Sequence, residues 1–140
     1  MKASIFYRFA AVLLVLFAVG HTLGFRQGDP AWGAGPVIAA MQSLHFNALG
    51  FNRTYWDFFS AFGFFFSVFL LFSAVLAWQL GGVPAADFGA FVRFTAWALA
   101  ICFVVLTVLN WTYAFTVPIV FSTVITVCLI AAVWLSRKGK

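Results

Sequence analysis

Charge is what this chain has least of. Of its 140 residues, only 8 are Lys or Arg and 3 are Asp or Glu. No formal charge falls between Arg93 and Arg137, and none between Phe58 and Ala86. A helix needs roughly 20 apolar residues to cross about 30 Å of hydrocarbon, and the uncharged runs leave room for four such helices. A soluble domain is excluded on the same ground. Hydrophobic residues make up 65% of the chain and the mean hydropathy is +1.07, against roughly 45–50% apolar in ordinary soluble domains. A fold this small leaves too much of its surface wet to hide that excess.

Other absences exclude particular chemistries. There is no C-x-x-C pair, which argues against a membrane thiol oxidoreductase. Cys102 and Cys128 fall at similar depth on neighbouring antiparallel segments and read as buried thiols. Zinc is disfavoured because no pair of His or acidic residues has ligand spacing on one helix. Haem is disfavoured because one of the two histidines falls in a loop. No metal and no cofactor is therefore expected. Neither a phosphate-binding glycine loop nor a nucleophile elbow occurs. The midplane of the apolar segments offers only Ser, Thr and Cys as polar groups, which argues against an ion or proton path. The net charge of +5 does not point to nucleic acid, since the basic residues cluster at helix ends, where they orient membrane proteins.

The expected fold is an all-α membrane protein in one domain, residues 1–140. It is a four-transmembrane-helix bundle with helices at about 5–23, 55–80, 88–110 and 117–135. Met1, Lys2 and Arg8 resemble the charged start of a signal peptide. The small-residue cleavage site is poorly met around Ala18-Val19-Gly20, so the segment reads as a first spanning helix. Gly81-Gly82-Val83-Pro84 separates helices two and three, and Asp87 suits the first turn of the third. A short aromatic turn, 111–116, joins helices three and four, with Pro118 at the start of the latter. Residues 24–54 form a long loop, and long loops in small proteins are often functional. It opens with turn-formers, including Gly24, Asp29 and Gly33. Val37, Ile38, Met41, Leu44 and Ala48 then recur at helical spacing, which predicts a short amphipathic helix lying on the membrane surface or capping the bundle. Basic residues place both termini in the cytoplasm and the loop outside. Lys2, Arg8, Arg93, Arg137, Lys138 and Lys140 fall on one side, and Arg26 and Arg53 on the other.

The polar residues inside the spans fall on stripes of small residues, which let helices approach closely in lipid. Asp57, Ser60, Gly63, Ser67, Ala74 and Ala77 share a face of helix two. Ala11, Leu14, Ala18 and His21 share a face of helix one. Thr95, Ala98, Cys102, Leu106 and Asn110 share a face of helix three. His21, Asp57 and Asn110 thus reach a similar outer depth, and the loop adds Arg26, His45 and Arg53 on that side. Two readings are open. The first three residues hydrogen-bond together to pin the helices, or all six line an outward-opening pocket with the loop helix as its lid. His21 and Asp57 are expected to approach within hydrogen-bonding range, with Arg53, one helical turn before Asp57, as the competing partner.

The segments Gly20-His21-Thr22-Leu23-Gly24, Arg53-Thr54-Tyr55-Trp56-Asp57-Phe58 and Leu70-Leu71-Phe72-Ser73-Ala74-Val75-Leu76-Ala77-Trp78-Gln79 resemble an uncharacterised family of small bacterial four-helix inner-membrane proteins. The resemblance implies the four-helix topology and a bacterial inner (plasma) membrane, and it transfers no catalytic residue. In size and helix count the chain is also similar to four-helix sterol isomerase and sigma-2 type membrane proteins. Those use acidic residues within the bundle, whereas Asp57 lies at the membrane edge. The expected function is a non-enzymatic integral membrane protein, either an accessory subunit of a membrane complex or a lipid- or isoprenoid-binding module. Its partners would be the bilayer and another membrane protein or lipid. The alternative is a small membrane enzyme acting on a hydrophobic substrate, with His21 as acid or base and Asp57 as its orienter.

Overall fold

A computed structural model describes residues 2–28 and 30–137. Asp29, Lys138 and Lys140, which the turn and the charge bias draw on, lie outside the described residues. The element order is α1 (Lys2–Gly24), α2 (Gly35–Ser43), β1 (His45–Ala48), β2 (Phe51–Thr54), α3 (Tyr55–Gly82), α4 (Ala90–Tyr113) and α5 (Thr116–Arg137). Single 3-10 turns occur at Pro30–Trp32 and Ala85–Asp87. Four helices, α1, α3, α4 and α5, are long and apolar enough to span a membrane, the pattern of a multi-pass membrane protein.

Three expectations need correction at the level of elements. Asp87 is not in the first turn of a spanning helix. It ends a 3-10 turn, and α4 starts three residues later with Gly89 at its N-cap. The aromatic turn between helices three and four is shorter than 111–116, because α4 runs to Tyr113 and α5 starts at Thr116, leaving Ala114 and Phe115 to make it. The helical spacing from Val37 to Ala48 does not carry one helix. α2 stops at Ser43, and Ala48 lies in an antiparallel hairpin that pairs His45 with Thr54 and Phe46 with Arg53. Leu49 and Gly50, both at positive φ (52° and 90°), make its tip, as a two-residue hairpin turn of the primed type demands. Asn47 locks that turn by accepting the Gly50 N–H at 2.9 Å.

The chain divides into two compact units, Met1–Phe17 with Leu70–Lys140, and Ala18–Phe69. Both α1 and α3 run unbroken through the division. The first unit has a core of Tyr7, Ala10 and Leu14 from α1, Leu70, Ser73 and Ala77 from α3, Ala96, Ala100 and Phe103 from α4, and Ile125, Leu129 and Val133 from α5. Phe17 of α1 stacks on Phe121 of α5 with ring centroids 5.2 Å apart. α4 and α5 are joined by a polar seam. Thr107 and Thr126 share a hydroxyl hydrogen bond of 2.8 Å, Thr126 also donates to the Phe103 carbonyl, and the Trp111 indole donates to Thr123. The buried face of α4 is Ala96, Leu99, Ala100 and Phe103. The expected stripe of Thr95, Ala98, Cys102, Leu106 and Asn110 is therefore off by about one residue, or ~100° of helix.

The second unit holds the end of α1, α2, the hairpin and the first half of α3. The hairpin is anchored to α3 by Phe46, whose ring lies 5.0 Å from that of Tyr55 and 5.3 Å from that of Phe58.

Candidate functional site

The hairpin runs straight into α3, and the junction explains Asp57. Its carboxylate accepts the Thr54 N–H at 2.8 Å, while its own N–H is donated to the Thr54 hydroxyl at 3.1 Å. This reciprocal pair is a capping box, which satisfies two of the backbone donors that a helix N-terminus leaves without partners. Thr54-Tyr55-Trp56-Asp57 carries the matching sequence signature, a Thr followed three residues later by an acid before an apolar run. Asp57 is exposed rather than turned into a helix interface.

His21 has a different set of neighbours. Its Nδ1 is 3.0 Å from the Ser67 hydroxyl. That hydroxyl also receives a hydrogen bond from Thr22 at 2.8 Å and is 3.2 Å from the Gly63 carbonyl. The imidazole stacks on Phe25 at 5.0 Å and meets Phe66 edge-on at 4.9 Å. Phe25 in turn lies against Phe59 and Phe64, and Gly63 is the residue that admits it. A Cβ built there would collide with the Phe25 ring. His21 is thus a helix-pinning group inside a phenylalanine box.

The expected His21–Asp57 pair does not form. Ser67, the partner of His21, lies ten residues beyond Asp57 on α3, or ~15 Å along its axis. Both residues lie in end turns, His21 in the last of α1 and Asp57 in the first of α3, but those ends are not level, because the last turn of α1 meets α3 at Ser67.

The remaining candidates scatter. Asn110 donates across the α4–α5 corner to the Pro118 carbonyl at 3.5 Å. Arg26 spreads over the rings of Phe25 and Phe64, 5.7 and 5.1 Å from their centroids. Arg53 lies over Phe51 and donates to the carbonyl of Asn52. The His45 ring is 2.9 Å from the Ser43 carbonyl oxygen. Arg53 is near enough to Asp57 to add favourable charge, and His45 pairs with Thr54 across the hairpin, so these three share the hairpin–α3 junction while His21 does not. Among the described residues, no group of three His, Cys, Asp or Glu side chains is placed to hold a metal ion. Both cysteines are free thiols, Cys128 buried and Cys102 half-buried.

The first unit offers a feature that the charged residues did not indicate. A groove of about 530 Å³ runs between α1 and α3, lined by Ala11, Val12, Val15, Leu16, Leu71, Ala74, Val75, Trp78 and Gln79. Its signal in the sequence is a pair of alanines, Ala11 and Ala74, facing each other with larger apolar residues on either side. No family model, no curated protein and no solved structure matches the chain at a significant level.

Proposed function

We propose that this chain is a non-enzymatic integral membrane protein that serves as an accessory subunit of a membrane complex, meeting its partner along α3. The observation that carries this reading is a phenylalanine ladder. Phe58, Phe62, Phe65 and Phe69 recur at intervals of four, three and four on α3, the spacing of a seam between helices. Phe62 and Phe65 are each 67% exposed, and successive rings stand 6.5 and 6.3 Å apart. The polar residues that an enzyme would use support the same conclusion from the other side. Asp57 is committed to a helix cap and His21 to Ser67, so the alternative enzyme lacks its acid–base pair. The partner we envisage is a single spanning helix with small residues facing the ladder, since close packing is what drives helix association in lipid.

The setting is proposed with it: a bacterial inner membrane, four helices bundled together, α2 and the hairpin outside, and both termini in the cytoplasm. The six-to-two bias of basic residues and the family resemblance of the Gly20–Gly24 and Arg53–Phe58 segments support that setting.

A photo-crosslinking residue at Phe62 or Phe65 in native membranes tests the docking face. A discrete protein adduct is expected there, and none from Val105, an equally lipid-facing position on α4. The Phe62→Ala/Phe65→Ala double variant should lose co-purification of that protein without losing thermal stability. Lipid adducts alone, or equal protein adducts from Val105, would sink the reading. A second reading, a lipid-binding module, is favoured by one observation only, the groove between α1 and α3.

A further inference from the structure

The groove has the shape of a site for one kind of amphiphile, and its assignment rests on the lipid-binding reading. Ala11 and Ala74, 3% and 5% exposed, form its floor. Val12, Val15 and Leu16 of α1 face Leu71 and Val75 of α3 as its walls. From Leu71 to Gln79 it follows α3 for eight residues, or ~12 Å of helical rise. Polar side-chain atoms enter only at one end, through Trp78 and Gln79.

That end is closed and positively charged. Beyond it α1 and α3 come together: the Ser4 hydroxyl donates to the Gly81 carbonyl. A Cβ at Gly81 would meet Tyr7 and Arg8 side-chain atoms at 3.1 and 3.2 Å. The Arg8 guanidinium lies over the Trp78 ring, 5.2 Å from its centroid. Arg8 is exposed and makes no ion pair among the described residues. An apolar slot thus ends at a cation that no ion pair among the described residues engages, held by an indole of the kind enriched where headgroups lie.

We propose that this groove seats an acyl chain of an anionic phospholipid, with the lipid phosphate on Arg8 and Gln79. Charge complementarity selects an anion. Length favours the phospholipid: the slot is ~12 Å long, so an acyl chain reaching the ~15 Å of one leaflet fills it and leaves only its last carbons outside. A polyprenyl chain would overrun it.

The test uses the full chain reconstituted in phosphatidylcholine vesicles at low salt, with trace spin-labelled phosphatidylglycerol or spin-labelled phosphatidylcholine. Phosphatidylglycerol should associate about fivefold more strongly, as one arginine near the surface implies. Arg8→Gln should bring that ratio close to one. Val75→Trp, at an exposed position on the rim, should abolish it with Arg8 still present. Ala74→Phe, which fills the floor, is the stronger block, and the rim variant decides the matter if it does not fold. Equal association of the two lipids with the unaltered protein overturns the proposal. So does a preference that Arg8→Gln removes but Val75→Trp leaves intact, since charge without a groove would explain it. Preferential displacement of phosphatidylglycerol by a polyprenyl phosphate overturns the phospholipid assignment and leaves a lipid-binding module standing. If Val75→Trp changes the immobilised fraction of no lipid at all, the lipid reading falls with it.

Discussion

Single side chains in this protein are placed by packing more than by charge, and Gly63 shows how. It faces Phe25, whose ring is held by Phe59, Phe64, His21 and Arg26. Because the ring is hemmed in on those sides, a larger residue at 63 cannot be absorbed by a rotamer change. Gly63→Leu should therefore destabilise the protein by about 1–3 kcal/mol, the usual cost of overpacking. Phe65→Leu, at a 67% exposed position on the same helix, should stay within about 0.5 kcal/mol. Thermal melting in one detergent compares the two, and equal losses would mean that the close approach at Gly63 is not what holds this region. The stripe containing Gly63 and Ser67 was legible in the sequence because small residues stand out against phenylalanine. The partner of Ser67 was not legible, because His21 offers no local pattern that says which turn of a neighbouring helix it reaches.

At the scale of elements, the four long apolar helices could be read from hydropathy because each uncharged run ends at a Gly, Pro or charge cluster. Their lengths came within a few residues. The hairpin could not be read so. Its strands are four residues each, too short for alternation to compete with an overlapping helical spacing, and a leucine stands where Asn or Asp usually marks a primed turn. The buried face of α4 was misassigned for another reason. A helix apolar all round has no solvent side to give its orientation, so sparse small and polar residues were the only guide. The residues that do fix it, Thr107 and Thr126, sit in the α4–α5 seam and hydrogen-bond to each other. A double-mutant cycle with Thr107→Val and Thr126→Val should give a coupling of about 0.6 kcal/mol, typical of hydrogen bonds between spanning helices. A coupling indistinguishable from zero would mean that apolar packing alone joins α4 to α5. Thr95→Val, on the face first expected to be buried, should couple to neither.

For the whole molecule, the question that geometry frames most directly is which side faces the cell. α3 has 28 residues, ~42 Å at 1.5 Å per residue, more than the ~30 Å of a hydrocarbon core. A helix of that length, once it spans, sets the hairpin before it and Gly82 at its end on opposite sides of the membrane. The four-helix topology read from the sequence would group Lys2, Arg8, Arg93, Arg137 and the two lysines that follow it in sequence with Gly82, against Arg26 and Arg53 with the hairpin. Such a bias favours the cytoplasm for the Gly82 side. Single cysteines introduced after replacing Cys102 and Cys128 with serine read this out. Asn52→Cys, exposed on β2, is a better reporter than Gly33→Cys, because Gly33 has a φ of +64° that a cysteine would strain. In intact cells a membrane-impermeant maleimide should label Asn52→Cys and spare Gly82→Cys until the membrane is opened. The reverse pattern would place α2 and the hairpin in the cytoplasm and Arg8 at the outer surface. The groove between α1 and α3 would then draw its lipid from the outer leaflet, so the same two cysteines also decide which leaflet must supply it.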